Sequence, residues 1–310
     1  MSDMQRSRRA LGRLLTRLSS ASVAESLALV SSSPARAARI GFTGAPGAGK
    51  STLISRFAKR RLPACRDAGG LAVLAVDPSS PLTKGAILGD RIRMDAVAHE
   101  PELYIRSVAS RSSTDGLADN VADLVGALDQ YGFREILLET VGVGQAEHAI
   151  RHLVDTVIVV LQPDCGDAIQ AMKAGILEVA DIYVVNKADL PGARKTAAEI
   201  RAILDRPRDD GWTWPLRPVI EVSHERDDGI LALDAAVTEH LAWVAAHRDA
   251  GQVRRWRRRY HLQSLIVRRV SELLDGQIDS TCEQDLQQAY DALVNALASP
   301  PGSDARHRRH

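Results

Sequence analysis

The chain has 310 residues, enough to bury a large core, and its 45% hydrophobic and 25% charged content is ordinary for a globular protein. A formal net charge of +1 gives no global attraction to nucleic acid or to an anionic membrane surface. No apolar run approaches the roughly 20 residues that span a bilayer. Three scattered cysteines (Cys65, Cys165, Cys282) speak against a disulfide framework or a Cys-ligated zinc and fit free thiols in a reducing compartment.

Residues 1–38 are rich in Arg, Ser and Ala and poor in acids, a composition shared with organelle transit peptides. Leu11, Leu14, Leu15 and Leu18 fall on one helical face, so the expectation is an N-terminal helical arm in a cytoplasmic protein, with the mitochondrial matrix as the alternative. From residue 39 short β-branched runs alternate with helix-length segments. That pattern predicts an α/β fold: a mostly parallel sheet with helices on both faces, spanning 39–248. The expected strands are 39–43, 71–76, 103–107, 135–139, 156–161, 182–186 and 219–223. Several are apolar almost throughout, as strands covered on both faces must be. A linker is expected over 246–252, then a helical C-terminal segment (249–300) with helices at 256–274 and 282–297. The tail 301–310 is expected to be disordered.

The strongest motif is Gly44-Ala45-Pro46-Gly47-Ala48-Gly49-Lys50-Ser51, which matches G-x-x-x-x-G-K-S. It lies where that pattern carries chemistry, between a strand and a helix over 52–59 that opens with Thr52. Its glycines let backbone N–H groups curl around phosphates, and the helix N-terminus adds positive potential. Lys50 then reaches the β- and γ-phosphates, and the Ser51 hydroxyl ligates Mg2+.

Asn186-Lys187-Ala188-Asp189 directly follows an apolar strand. In this arrangement the Asp carboxylate accepts from guanine N1–H and N2–H2. Adenine has no donors there and would strand a buried carboxylate, so the nucleotide read is GTP or GDP. The Lys187 stem packs on the base, and Asn186 ties this loop to the phosphate loop. Ser223-His224, after the last strand, occupies the place of the loop whose backbone N–H meets guanine O6, with His where a small residue is usual.

Three acids stand where hard oxygen ligands for Mg2+ are needed: Asp77 and Glu139 at strand ends, and Asp90 in a loop. Glu139-Thr140-Val141-Gly142 has the shape of a D-x-x-G switch, with the Gly142 N–H set to sense the γ-phosphate. Hydrolysis would be in-line attack of water on phosphorus, governed by positioning and charge stabilisation. The water-orienting Gln of Ras-like GTPases is replaced by Val143, which leaves Gln145 and Asp77 as candidates beside Lys50 and Glu139. Slow intrinsic hydrolysis, accelerated by a partner, is the expectation.

Several segments together carry a family resemblance. They are Ala75-Val76-Asp77-Pro78-Ser79-Ser80-Pro81, Gly85-Ala86-Ile87-Leu88-Gly89-Asp90-Arg91-Ile92-Arg93-Met94, Glu139-Thr140-Val141-Gly142-Val143-Gly144-Gln145, and Lys173-Ala174-Gly175-Ile176-Leu177-Glu178-Val179-Ala180-Asp181 leading into Asn186. Over 39–230 the chain resembles the methylmalonyl-CoA mutase-associated GTPases (MeaB, formerly ArgK) of the SIMIBI class of P-loop proteins. The resemblance implies a homodimeric chaperone for an adenosylcobalamin-dependent mutase, which gates cofactor delivery, protects the enzyme, and uses GTP hydrolysis as its switch. It also implies Mg2+-linked roles for Asp77, Asp90 and Glu139, a third switch over 162–173, and C-terminal helices as the dimer arm. The chain departs from the family pattern at Lys84-Gly85-Ala86, Ser112, Asp115 and Asp164-Cys165, where glycines or small residues are usual. Competing readings are a metallochaperone GTPase and a kinase-type regulator of amino-acid transport, the older label.

Other signals read as structural. His148 and His152 have helix-ligand spacing but no third ligand, so helix-surface histidines are expected. The run 254–260 is expected to be a helix with Trp256 and Tyr260 packed inward and arginines in solvent, rather than a nucleic-acid site. Trp212 and Trp214, in a polar loop, are candidates for a partner surface.

Overall fold

A computed structural model describes residues 3–30, 37–78, 100–110, 120–140, 149–163, 180–204, 214–281 and 285–299. Seven strands form one all-parallel sheet: β1 (Ala38–Thr43), β2 (Leu71–Pro78), β3 (Leu103–Ser110), β4 (Glu135–Glu139), β5 (Thr156–Leu161), β6 (Ile182–Asn186) and β7 (Val219–Val222), in the order β3-β2-β4-β1-β5-β6-β7. Each expected strand is present, four of them with shifted ends. Eight α-helices are described: α1 (Asp3–Leu18), α2 (Val23–Leu29), α3 (Lys50–Cys65), α4 (Val121–Tyr131), α5 (Ala193–Leu204), α6 (Asp228–His247), α7 (Ala250–Thr281) and α8 (Leu286–Ala298).

The pleat divides the core into two layers. Along β4, Ile136 and Leu138 join a cluster with α1, α4 and α5, while Leu137 points to the other face with α3 and α6. Residues alternate in this way because successive strand side chains leave opposite faces. Leu11, Leu15 and Leu18 of α1 are buried in the first layer, with Leu14 partly buried against it, so the arm's leucine face is part of the core.

The segment read as a linker is two helix ends with only Arg248 and Asp249 between them. Beyond that joint, α7 is fastened to the sheet domain by polar ties on one face. Arg257 Nη2 donates to Asp155 Oδ1 (2.6 Å), His261 Nε2 pairs with Asp123 Oδ1 (2.6 Å), and Arg268 donates to Asp123 Oδ2 (3.0 Å) and Ser26 Oγ (2.8 Å). Glu272 Oε1 accepts from the Val23 N–H (2.7 Å). The basic run is therefore not wholly solvated: Arg257 faces inward, and Trp256 is 41% exposed rather than packed inward. Tyr260 does pack, stacked on His152 with ring centroids 5.6 Å apart.

Two further expectations change. Trp214 is a core residue, 2% exposed, with its ring 5.0 Å from that of buried His240, so it marks no surface. Among the described residues α6 is long and apolar enough by composition to cross a membrane, contrary to the reading of apolar runs. Here its apolar side, Ile230, Leu233 and Val237, packs with α3, β5 and β7. Trp212, His148 and the tail lie outside the described residues.

At the N-terminal edge of the sheet, Asp181 is buried among Arg151, His240 Nε2 (3.4 Å), Arg248 Nη2 (3.6 Å) and the Val157 N–H (2.8 Å). Burial alone would raise its carboxyl pKa. The Arg151 charge and the His240 contact outweigh burial and bring it down to about 2. The opposite edge carries the candidate site.

Candidate nucleotide site

β1 pairs with β4 on one side and β5 on the other, so the chain passes over β1 on its way from β4 to β5, and ligands of open parallel sheets settle at the carboxyl ends of strands beside such a switch point. Gly44–Gly49 leaves β1 there. Gly44, Gly47 and Gly49 take positive φ (+139°, +79° and +83°), a backbone only glycine adopts without strain. At Gly44 a Cβ would meet the Val160 carbonyl oxygen at 2.0 Å, and at Gly49 it would meet Asn186 Nδ2 at 2.5 Å. These glycines thus let β5 and β6 close against the loop. Phe42 and Phe57, edge to face at 5.6 Å, form the apolar floor beneath it.

α3 begins at Lys50 with no side-chain cap, so its first N–H groups face the loop. Lys50 is buried, and its Nζ donates to the carbonyls of Gly44 (2.7 Å) and Ala45 (3.1 Å). The ammonium is held across the mouth of the curl it would share with phosphates. Ser51 Oγ donates to Glu139 Oε1 at 2.8 Å, which joins the start of α3 to the end of β4. Glu139 is buried and pairs in register with Phe42 of β1 and Ala75 of β2. Asp77 lies at the carboxyl end of β2, its backbone paired with Ala109 of β3. Asp90, Gly142 and Gln145 lie outside the described residues, as do Ser112, Asp115 and Asp164-Cys165. Thr52 is exposed on the first turn of α3.

The second loop leaves β6. Asn186 Nδ2 donates to the Ala48 carbonyl at 2.8 Å, and Lys187 Nζ donates to the Gly47 carbonyl (2.8 Å) and Gln162 Oε1 (2.9 Å). Lys187 holds φ +55°, a left-handed conformation uncommon outside glycine. Asp189 Oδ1 accepts from Ser223 Oγ (3.0 Å) and stands 3.3 Å from His224 Nδ1. A hydrogen bond from its own backbone N–H, then Ser223 and His224, hold its carboxyl below the usual range, so at neutral pH it is an acceptor only. Ser223 is buried and His224 is exposed, its ring turned to solvent beside Asp189.

The structure therefore brings Lys50, Ser51 and Glu139 into one cluster and Asn186, Lys187, Asp189, Ser223 and His224 into another, bridged through Gly47–Gly49. Two contributors have contacts that no motif gives: Arg56 was not singled out, and Gln162 entered only as the first residue of the third switch that the resemblance implies. Gln162, at the end of β5, accepts from Lys187, and Arg56 of α3 holds the turn after β7. An isolated Arg or Gln carries no sequence pattern that would reveal such long-range contacts.

The family described as methylmalonyl Co-A mutase-associated GTPase MeaB matches residues 11–279. A Pyrococcus abyssi relative is 39% identical over 249 residues, 79% of this chain and 74% of its own length. The mouse methylmalonic aciduria type A homolog, mitochondrial, is 34% identical over 240 residues, 76% of this chain and 56% of its own length. A solved structure titled LAO/AO transport system kinase has the same fold, with a TM-score of 0.55, 23% identity, and coverage of 94% of this chain and 98% of that one. The α/β P-loop fold, the two bridged loops and the match across residues 11–279 converge: the chain belongs to the MeaB family of methylmalonyl-CoA mutase-associated GTPases.

Proposed function

We propose that the protein is a GTP-hydrolysing chaperone that gates adenosylcobalamin loading into a B12-dependent acyl-CoA mutase of the methylmalonyl-CoA type and protects that enzyme. The observation that carries the reading is the direct tie between the two loops, Asn186 Nδ2 to the Ala48 carbonyl, within a chain of this family. It couples a guanine-reading element to a phosphate-reading one, as a nucleotide-state sensor requires.

In this reading Gly44, Ala45, Pro46, Gly47, Ala48 and Gly49 wrap the phosphates, and Lys50 leaves its carbonyl acceptors to meet them. The residues fit Mg2+: Ser51 and Glu139 supply only hard oxygen atoms at the start of α3. Because the Ser51 hydroxyl donates its hydrogen to Glu139, its oxygen lone pairs are what it offers a cation. The metal would neutralise charge developing on the β- and γ-phosphates. Asp77 and Asp90 complete the proposed ligand set, Gly142 senses the γ-phosphate, and Asp77 or Gln145 orients water. Asp189 accepts from guanine while Lys187 covers the base. With no Gln directly after Gly142, hydrolysis by the protein alone is slow.

Exposed apolar residues on α7 and α8, among them Ile266 (58%), Leu286 (84%) and Tyr290 (61%), support a homodimer through this segment. The family's description supports a mutase link, and the mouse relative's name, which says mitochondrial, leaves a cytoplasmic or a mitochondrial setting compatible with the reading. The test is a pull-down with a methylmalonyl-CoA-type mutase in GDP and in a non-hydrolysable GTP analogue, with phosphate release followed in parallel. Nucleotide-dependent capture, and phosphate released to water, support the proposal. Equal capture in both states would refute the chaperone role, and phosphate transferred to protein would favour a kinase.

A further inference from the structure

The turn after β7 is held by a side chain outside the nucleotide motifs. Arg56 lies on α3, the helix that opens with Lys50 and Ser51, and only 24% of its side chain is exposed. Its Nη1 donates to the Ser223 carbonyl at 2.6 Å. Its Nη2 donates to the Arg226 carbonyl at 2.8 Å and to Asp227 Oδ1 at 2.9 Å. One planar fork thus spans the turn from 223 to 227.

Two neighbouring features indicate that this grip is specific. Asp227 occupies the N-cap of α6, where an Asp carboxylate ordinarily accepts from the helix's own first N–H groups. It makes no such bond, and its Oδ1 accepts from Arg56 instead. Ser223 is held from two sides. Arg56 takes its carbonyl, while its hydroxyl donates to Asp189 Oδ1 and accepts from the Glu225 N–H (3.1 Å). Arg56, Ser223 and Asp189 therefore form a continuous chain from the phosphate-loop helix to the carboxylate read as the guanine acceptor.

We propose that Arg56 is a positioning residue for guanine recognition. It fixes the Ser223–Asp227 turn relative to α3, so that the turn's backbone donor for guanine O6 stays in register with the phosphate cradle. The proposal rests on the guanine reading of the site. Lysine is a poor substitute here, because two carbonyls and a carboxylate are met by the rigid guanidinium fork and not by a single ammonium.

The test is calorimetry on the full chain, comparing wild type, Arg56→Ala and Arg56→Lys. The probes are GDP, IDP, ADP and the diphosphate of 2-aminopurine riboside, which lacks the 6-oxo group. Arg56→Ala weakens GDP and IDP alike by about tenfold and changes the 2-aminopurine nucleotide by less than about twofold, while Arg56→Lys recovers only part of the loss. Where Arg56→Ala fails to fold, Arg56→Gln carries the same comparison. Unchanged GDP affinity, or equal weakening of GDP, IDP and the 2-aminopurine nucleotide, overturns the proposal, since a merely structural brace has no preference for the 6-oxo group. A wild type that binds ADP as well as GDP overturns the guanine reading itself. A wild type that prefers GDP beside an unaffected Arg56→Ala overturns only the role of Arg56.

Discussion

Replacing Gly49 with alanine tests whether the two nucleotide loops are in the contact described. At φ +83° an L residue costs about 1–2 kcal/mol in the left-handed region. The added Cβ would also stand 2.5 Å from Asn186 Nδ2, so the amide must move and surrender its 2.8 Å bond to the Ala48 carbonyl. That bond contributes about 1 kcal/mol net. The nucleotide-free loop can relax, whereas a loop wrapped on phosphates cannot, so the cost falls on binding. GDP affinity of Gly49→Ala should drop roughly 30- to 150-fold, from a total of about 2–3 kcal/mol, with a Tm change in nucleotide-free protein below about 4 °C. Gly47→Ala is the control. Its φ is +79°, yet nothing lies within 4 Å of its Cβ, so only the backbone cost remains and the loss is about 5- to 30-fold. Calorimetric titration with GDP gives both values, and a Gly49→Ala/Asn186→Ala double mutant should lose less than the sum of the singles. A Gly47→Ala loss equal to or larger than that of Gly49→Ala, or strict additivity in the double mutant, would refute the contact.

Other consequences are accessible with the same protein. The Asp181 carboxyl, depressed to about 2, contributes stability above its unfolded value near 4 and loses it as pH falls towards 2. The stability gap between wild type and Asp181→Asn in urea unfolding should therefore narrow across pH 4 to 2, and a constant gap would contradict the assignment. Burial, with Glu135 nearby, pushes the Cys65 thiol up to about 12. A thiol-alkylating reagent at pH 8 should leave the Cys65 peptide unmodified until denaturant is added, as read by mass spectrometry. Arg268→Met removes the bonds to Asp123 and Ser26 and leaves the buried Asp123 carboxylate to His261 alone among the side chains described at it, so unfolding free energy should fall by about 3 kcal/mol. A loss below about 1 kcal/mol would mean that α7 is not stapled through this pair.

The strands were legible in the sequence because parallel strands covered on both faces are written as short β-branched runs; 135–139, 156–161 and 182–186 have the predicted bounds. The meeting of residues 44–51 and 186–189 was legible because each motif sets fixed residue types at fixed spacing directly after an apolar strand, and the structure joins the two loops through Asn186 and Ala48. Side chains whose role depends on distant partners were not. Trp214 looked like a surface residue in a polar loop, but its ring is covered by His240 of α6. Trp256 and Arg257 exchange their expected sides because Asp155, far away in sequence, draws the guanidinium inward. Arg56 carries no pattern of its own, and the contact that Gln162, the first residue of the implied third switch, makes with Lys187 became visible only when the strands and α3 were brought together. His224, which stands where a small residue is usual, lies 3.3 Å from Asp189, where its contact helps hold the carboxyl low.

The central claim is that the loop bridged to Gly47–Gly49 reads guanine through Asp189. Calorimetry of GTP, ATP and XTP against wild type and Asp189→Asn tests it most directly. Wild type should bind GTP with ATP at least about a thousandfold weaker, because adenine brings no donors to the Asp189 carboxylate where guanine brings two. Asp189→Asn should lose GTP and gain XTP, since the amide donates where xanthine presents an oxygen. Equal affinity for ATP and GTP, or an Asp189→Asn variant that keeps its preference for GTP, would contradict it.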